Sequence, residues 1–241
     1  MAAGKTMMTA SDGDPTATRV ALHQVAAHIL ARRRKVVTGR IGLRPAPGGL
    51  ATPPFGEAAE VVRVSGGLLV VERAGDAVAA PLTTLGAAAD VVGVDLAADH
   101  SVGAETPPLA DPAAPLAIHP PDVHWLAEWW ALGAEVLDEA TALPVVTHAS
   151  AAQLWPEHFD HASVVSVGDD RYNVGASPGD AVEPGPYLYV GPWSDERPGD
   201  PELWNAPFGA VLRRAELDGA PPDERRARAV EFVARRLSAG G

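Results

Sequence analysis

The sequence predicts an α+β fold, an antiparallel sheet or sandwich of hairpins with flanking amphipathic helices. Two pairs of short apolar runs each bracket a glycine-containing turn, at Gly66-Gly67 and at Gly168-Asp169-Asp170. Glycine accepts positive φ without steric cost, so such turns join antiparallel neighbours. Three longer stretches, near residues 15–34, 122–140 and 223–238, repeat apolar side chains at helical spacing. Strands joined by short turns imply a meander and exclude a doubly wound parallel sheet.

Residues 1–13 show no periodicity and read as a disordered tail, which leaves 14–241 as a single expected domain. Asp14 is placed to cap a helix with Pro15 at its first position. Leu22, Val25, Ala26 and Ile29 share one face of it. Arg32, Arg33, Arg34 and Lys35 follow in the last turn, where cations suit the negative end of the helix dipole, and read as a solvated helix end. His23 and His28 stand about 140° apart around the helix, too far to share a metal, and read as surface or boundary residues. Val37, Gly39, Ile41 and Leu43 then alternate with polar residues as a half-buried strand, ended by a Pro- and Gly-rich loop at 45–57. Strands at 61–64 and 68–71 flank the first glycine turn, and a third follows at 78–82. Thr83 or Thr84 caps a short helix through Leu85, Ala88, Ala89 and Val92.

Residues 94–121 hold six prolines and little periodicity, so this connector is the natural place for a sub-boundary or a long surface loop. Asp122 is placed to cap the next helix. There Trp125, Trp129, Leu132 and Val136 form one stripe, beside Leu126, Trp130, Gly133 and Leu137, an apolar arc of about 160°. His124 and Glu128, at i and i+4 on the opposite face, read as a solvated ion pair. The second hairpin comprises 163–167 and 171–176. The strand at 187–190 puts Tyr187 and Tyr189 on one face and Leu188 and Val190 on the other. A short strand at 211–213 and a helix opened by Asp223 complete the chain.

Charge and composition exclude whole classes of function. With 31 acidic and 19 basic residues the formal charge is −12, which disfavours nonspecific binding to nucleic acid or an anionic membrane surface. Two lysines accompany seventeen arginines, the bias of a high-GC genome. The chain has no cysteine, hence no disulfide, thiolate nucleophile, zinc–thiolate site or iron–sulfur cluster. No segment approaches eighteen continuous apolar residues, so no membrane span is expected and the location expected is cytoplasmic. A Gly-rich dinucleotide loop and a His-x-x-x-His helix are both lacking, and no cofactor, macromolecular partner or oligomeric state is indicated.

The candidate chemistry concentrates in one region. Of thirteen aromatic residues only Phe55 and Phe232 fall outside 125–208. Gly175-Ala176-Ser177-Pro178-Gly179 matches the nucleophile elbow of serine hydrolases. Two facts oppose that role: Pro178 has no N–H for an oxyanion hole, and no histidine follows His161. A type II turn with Pro178 and Gly179 at its centre and Asp180 beside it fits better. Glu157-His158-Phe159-Asp160-His161, if extended, puts His158 and Asp160 on one face and Glu157 and His161 on the other. His158, Asp160 and Asp180 are therefore the candidate catalytic set, for a divalent metal or for acid–base work.

Three blocks carry a family resemblance. They are Leu22-His23 with residues 38–44, then Gln153-Leu154-Trp155-Pro156-Glu157-His158-Phe159-Asp160, then 175–180 with 186–193 and Trp204-Asn205-Ala206-Pro207-Phe208-Gly209. Together they resemble a family of high-GC bacterial proteins of about this length, over most of residues 18–212. The resemblance implies no activity, because none is assigned to that family. Its pattern has an apolar residue where this chain carries His161, which favours His158 and Asp160 over His161.

Three functions are expected, in this order. The first is small-molecule binding in a pocket walled by Trp155, Tyr187, Tyr189 and Trp193, with Asn173, Trp204 and Asn205 as further contacts. The second is a metal-assisted hydrolase or lyase using His158, Asp160 and Asp180. The third is a structural or interaction protein in which the aromatics are only core.

Overall fold

A computed structural model describes residues 14–240, so the expected N-terminal tail lies outside the described residues. Helix α1 (Pro15–Val25) begins where its cap requires, with Asp14 accepting the Thr16 N–H at 2.9 Å. The helix does not stop at residue 34. It passes through a π-helical segment, Ala26–Ala31, and continues as α2 (Arg32–Thr38) until Gly39 ends it at φ 72°. The expected strand at 37–43 is thus corrected. Val37 lies in the last helical turn, and Leu43 alone pairs, through a single bridge to Leu154. Once a helix is nucleated each further residue adds a hydrogen bond, so it runs on to the first left-handed glycine.

The expected loop at 45–57 is also corrected, because Pro47 and Gly48 turn β1 (Arg44–Ala46) onto β2 (Gly49–Ala51). Next come β3 (Val61–Ser65), β4 (Leu68–Arg73) and β5 (Asp76–Pro81), each antiparallel to its predecessor. The result is a five-stranded sheet in chain order. Helix α3 (Leu85–Val92) follows, with Thr84 accepting the Ala87 N–H at 3.1 Å.

The proline-rich connector is a strap held along the first helix. Gln24 donates to the Pro108 carbonyl and accepts the Ala110 N–H, both at 3.0 Å. His28 Nε2 meets the Pro107 carbonyl at 2.8 Å, Arg32 donates to the Ala98 carbonyl, and Lys35 Nζ donates to Ser101 O at 2.6 Å. Side chains three or four residues apart on the helix thereby serve carbonyls that a proline-rich segment cannot place in a ladder. The solvated helix end is corrected by the same bonds. Arg32 and Arg34 are buried, Arg33 grips Glu60 through two bonds of 2.8 Å, and His28 is buried as well.

Helix α4 (Pro120–Thr141) starts at a proline, so Asp122 lies inside its first turn and is not the cap. Asp122 instead accepts from Thr18 Oγ1 at 3.3 Å, tying α4 to α1. Glu128 pairs with Arg214 at 3.7 Å instead of His124. The second sheet comprises β6 (His148–Ala149), β7 (Gln153–Trp155), β8 (Asp160–Val167), β9 (Asp170–Ser177), β10 (Tyr187–Pro192) and β11 (Ala210–Arg213). It is antiparallel throughout, in the order β11-β10-β9-β8-β6, with β7 also pairing to β8. Helix α5 (Pro222–Leu237) closes the chain.

Alternation along these strands gives the second sheet two unlike faces. Leu188, Val190, Val174, Ala176 and Val165 face inward towards α4, where Gly133 sits so close to Ala176 that a Cβ would collide. Leu50, Val62, Val64 and Leu69 of the first sheet belong to the same buried cluster, and α4 touches both sheets. The opposite face of the second sheet carries Asp160, Ser177, Tyr187 and Tyr189.

Candidate functional site

Cross-strand register builds that polar face. Tyr187 stands between Arg213 and Ser177, and Tyr189 between Val211 and Gly175. Ala162 lies opposite Gly175, and Trp155 opposite Asp160. The two tyrosine rings have centroids 6.1 Å apart, and Phe208 lies 6.4 Å from the first and 6.2 Å from the second. The Tyr189 hydroxyl donates to Asp160 Oδ2, and the Tyr187 hydroxyl donates to Asp180 Oδ2. Gly175 makes the first bond possible, since a Cβ there would stand 2.7 Å from the Tyr189 hydroxyl and 2.8 Å from the Ala162 Cβ.

Burial pushes the Asp160 carboxyl up, against the hydrogen bond from Tyr189, and its Oδ1 has no partner. Burial likewise raises both phenols, helped by Asp160 for Tyr189 and by Asp180 for Tyr187. Both tyrosines therefore remain hydrogen-bond donors at neutral pH.

The segment after β9 is stitched by Asp180. Its Oδ1 accepts the N–H groups of Val182 and Glu183 at 2.7 and 3.0 Å. Its own N–H donates to Glu183 O at 2.8 Å. Ser177 is 4 % exposed and its Oγ accepts the Gly179 N–H at 3.1 Å. Gly179 adopts φ 101°, with the Pro184 carbonyl where a side chain would go. Ser177 thus serves the turn.

A cleft of about 670 Å³ opens above this turn, lined among others by Arg19, His23, Glu105, Glu157, His158 and Asp180. Arg19 donates to the Gly179 carbonyl and lies in the field of Asp180 and Tyr187. His23 stacks on Phe159, centroids 4.9 Å apart and planes 4° apart, and its Nε2 meets the Pro156 carbonyl at 2.9 Å. Burial lowers the His23 pKa, so the ring is neutral at neutral pH. His158 is exposed, with Nδ1 3.6 Å from Glu105 Oε2 and Nε2 4.0 Å from Glu157 Oε2. Glu157 Oε1 in turn accepts the Glu105 N–H at 2.6 Å.

No protein-family model, curated protein or solved structure matches the chain.

The structure corrects the extended reading of 157–161. Residues 156–159 form a turn, closed by the Phe159 N–H on the Trp155 carbonyl at 2.7 Å, with Phe159 at φ 60°. The turn leaves His158 exposed on the cleft and Asp160 buried at the start of β8, so the two share no strand face. Asp160 feels the charges of His158 and Asp180 at range, but each of the three keeps its own hydrogen-bond or ion-pair partner. Among the described residues no three histidine, aspartate or glutamate side chains are grouped to hold a metal. His161 is buried on the opposite side of β8, and burial holds its pKa down to about 4.

The expected aromatic walls do not line this cleft. Trp155 is paired within the sheet, and Trp193 is exposed, its Nε1 donating to Asn173 Oδ1 at 2.9 Å beneath the Arg171 guanidinium. Trp204 donates to the Pro198 carbonyl at 2.9 Å. Asn205 brackets the backbone of Val211 at 2.8 and 3.0 Å and so pins β11. Residues missed from the sequence are Arg19, His23, Glu105 and Phe208. Arg19 and His23 are four apart and share a helix side, a signal open to inspection, whereas Glu105 lies in the aperiodic connector.

Proposed function

We propose that the chain binds a small polar molecule in the cleft between α1, the 156–159 turn and the 178–186 segment. One observation carries this reading. Four segments far apart in sequence bring three carboxylates (Glu105, Glu157, Asp180), the Arg19 guanidinium and two imidazoles (His23, His158) around one concavity. Arg19 is held by Gly179, and Asp180 by Tyr187 and its own turn, so neither must be ordered on binding. The ligand that suits this lining carries donors for the carboxylates and an acceptor for Arg19. The volume lies in the range of small-molecule sites. A metal-assisted hydrolase has less support, because His158, Asp160 and Asp180 keep separate partners.

The test is a thermal-shift panel of polyols, amino acids and nucleosides, followed by calorimetry on each hit. A binding compound should raise the Tm of the wild-type chain in proportion to its occupancy. Its affinity should fall roughly tenfold or more in Asp180→Asn and Arg19→Gln, with the variants still folded. A panel without hits, or hits indifferent to both substitutions, overturns the reading.

A further inference from the structure

The strap along the first helix leaves a second cavity of about 650 Å³ between α2 and residues 93–101. Arg32, Lys35 and His100 line it, together with Asp95 and Asp99. Arg32 is only 4 % exposed. Its Nη2 donates to the Ala98 carbonyl, whereas its Nη1 has no hydrogen-bond partner. Among the described residues no carboxylate pairs with this guanidinium within 4.0 Å. Asp95 acts on it only at range, with its Oδ1 occupied by the Ala97 N–H at 2.8 Å. A buried cation without a counter-ion is costly and calls for an anion.

The π-helical segment just before Arg32 sets its direction. Each i→i+5 turn takes more residues than an α turn and shifts the phase of the helix that follows, and such turns concentrate at functional sites. Lys35 spends one donor on Ser101 O at 2.6 Å, which leaves two. His28 and His100 meet edge to face, centroids 5.9 Å apart, at the same place. Arg19 of the first cleft lies thirteen residues back, roughly 20 Å along the helix.

We propose that this cavity is an oxyanion site, which takes the carboxylate of a small molecule between the Arg32 guanidinium and the Lys35 ammonium. A guanidinium offers the planar fork that matches such a group, and Lys35 adds a point charge. Asp95 and Asp99 in the same lining repel excess negative charge and favour a monoanionic carboxylate over a phosphate dianion.

The test uses the whole chain, labelled with ¹⁵N, titrated with sodium acetate and separately with sodium phosphate. Sodium chloride holds the ionic strength constant. Acetate should give saturating amide shifts confined to Gly93, Val94, His100 and Ser101, with phosphate weaker at the same amides. Lys35→Gln, at an exposed position, should weaken acetate roughly tenfold while leaving the rest of the spectrum in place. Arg32→Lys should do the same by removing the fork, and its failure to fold would leave Lys35→Gln to decide. Shifts that follow chloride alone, fail to saturate or persist unchanged in Lys35→Gln overturn the site. Phosphate tighter than acetate overturns the charge limit assigned to Asp95 and Asp99.

Discussion

Tyr189 reaches Asp160 by lying across Gly175, where a methyl group would stand 2.7 Å from its hydroxyl. β10 and β8 are not neighbours in the sheet, and β9 runs between them. One phenol thus spans a whole strand because that strand is bare at a single residue.

Gly175→Ala should therefore break the Tyr189–Asp160 bond, since Ala162 blocks the other direction of relaxation at 2.8 Å. Overpacking of this kind costs about 1–3 kcal/mol. Urea denaturation should report that loss, and Gly175→Ala with Tyr189→Phe should cost less than the two singles added. An Ala variant as stable as wild type would refute the spanning role.

His161 predicts an acid-sensitive term of known sign. Burial holds its folded pKa at about 4, against 6.5 for the free group. Above about pH 6.5 both states are neutral and the residue adds no pH dependence. As pH falls from 6.5 to about 4 the unfolded chain takes up a proton that the folded one refuses, so stability is lost. The total is roughly 3 kcal/mol. His161→Leu should remove that slope and leave stability at pH 7 equal or higher, because the buried Nδ1 has no partner to lose. Parallel curves for the two proteins between pH 7 and 4.5 would sink the idea.

Glu60 predicts a term that also fails in acid, for a different reason. Burial pushes its carboxyl up, but hydrogen bonds and charge from Arg33 and Arg73 outweigh this and leave it below its ordinary range. A depressed carboxylate contributes above its unfolded pKa and is lost as pH falls through the folded one. Glu60→Gln should cost about 1–3 kcal/mol at pH 7, less than a fully buried pair because both arginines are partly exposed. The deficit should shrink towards pH 3, as equilibrium denaturation can measure.

Asp180 predicts a local effect. With Asp180→Ala, the N–H groups of Val182 and Glu183 lose their acceptor. Hydrogen exchange at these two amides should accelerate at least roughly tenfold, while α4 amides stay protected. Uniform acceleration across the chain would mean that the aspartate supports the fold and not the turn.

Ser177 should not react as a nucleophile. A fluorophosphonate should leave the intact mass unchanged, since Oγ is buried, holds the Gly179 N–H, and precedes a proline without a donor. A stoichiometric adduct abolished in Ser177→Ala would falsify this.

Much of the fold was legible, because glycine turns and helical stripes are local signals. The hairpins at Gly66 and Gly168, and the three long helices, follow from them directly. The strand expected at 37–43 was wrong because helix propagation through the π segment depends on what Arg32 and Lys35 bind beyond it. Of the candidate site, the pairing partners are legible in the sequence and their geometry is not. Tyr187, Tyr189, Asp160 and Asp180 stand out in the sequence, and they pair as Tyr187 with Asp180 and Tyr189 with Asp160. The face of His158 is not legible locally, because tertiary packing holds Phe159 at φ 60°. Arg19 was missed because its partner, the Gly179 carbonyl, is 160 residues away.

Leu43 and Leu154 exchange two backbone bonds, of 2.8 and 2.9 Å, and join the edges of the two sheets. Every pairing between named strands connects segments fewer than thirty residues apart. Hairpins can therefore zip early and cheaply, whereas this contact must close a loop of more than a hundred residues. The join is therefore expected to form after the folding barrier. Leu154→Ala should raise the unfolding rate and leave the refolding rate nearly unchanged, so the seam governs how long the native chain lasts more than how fast it forms.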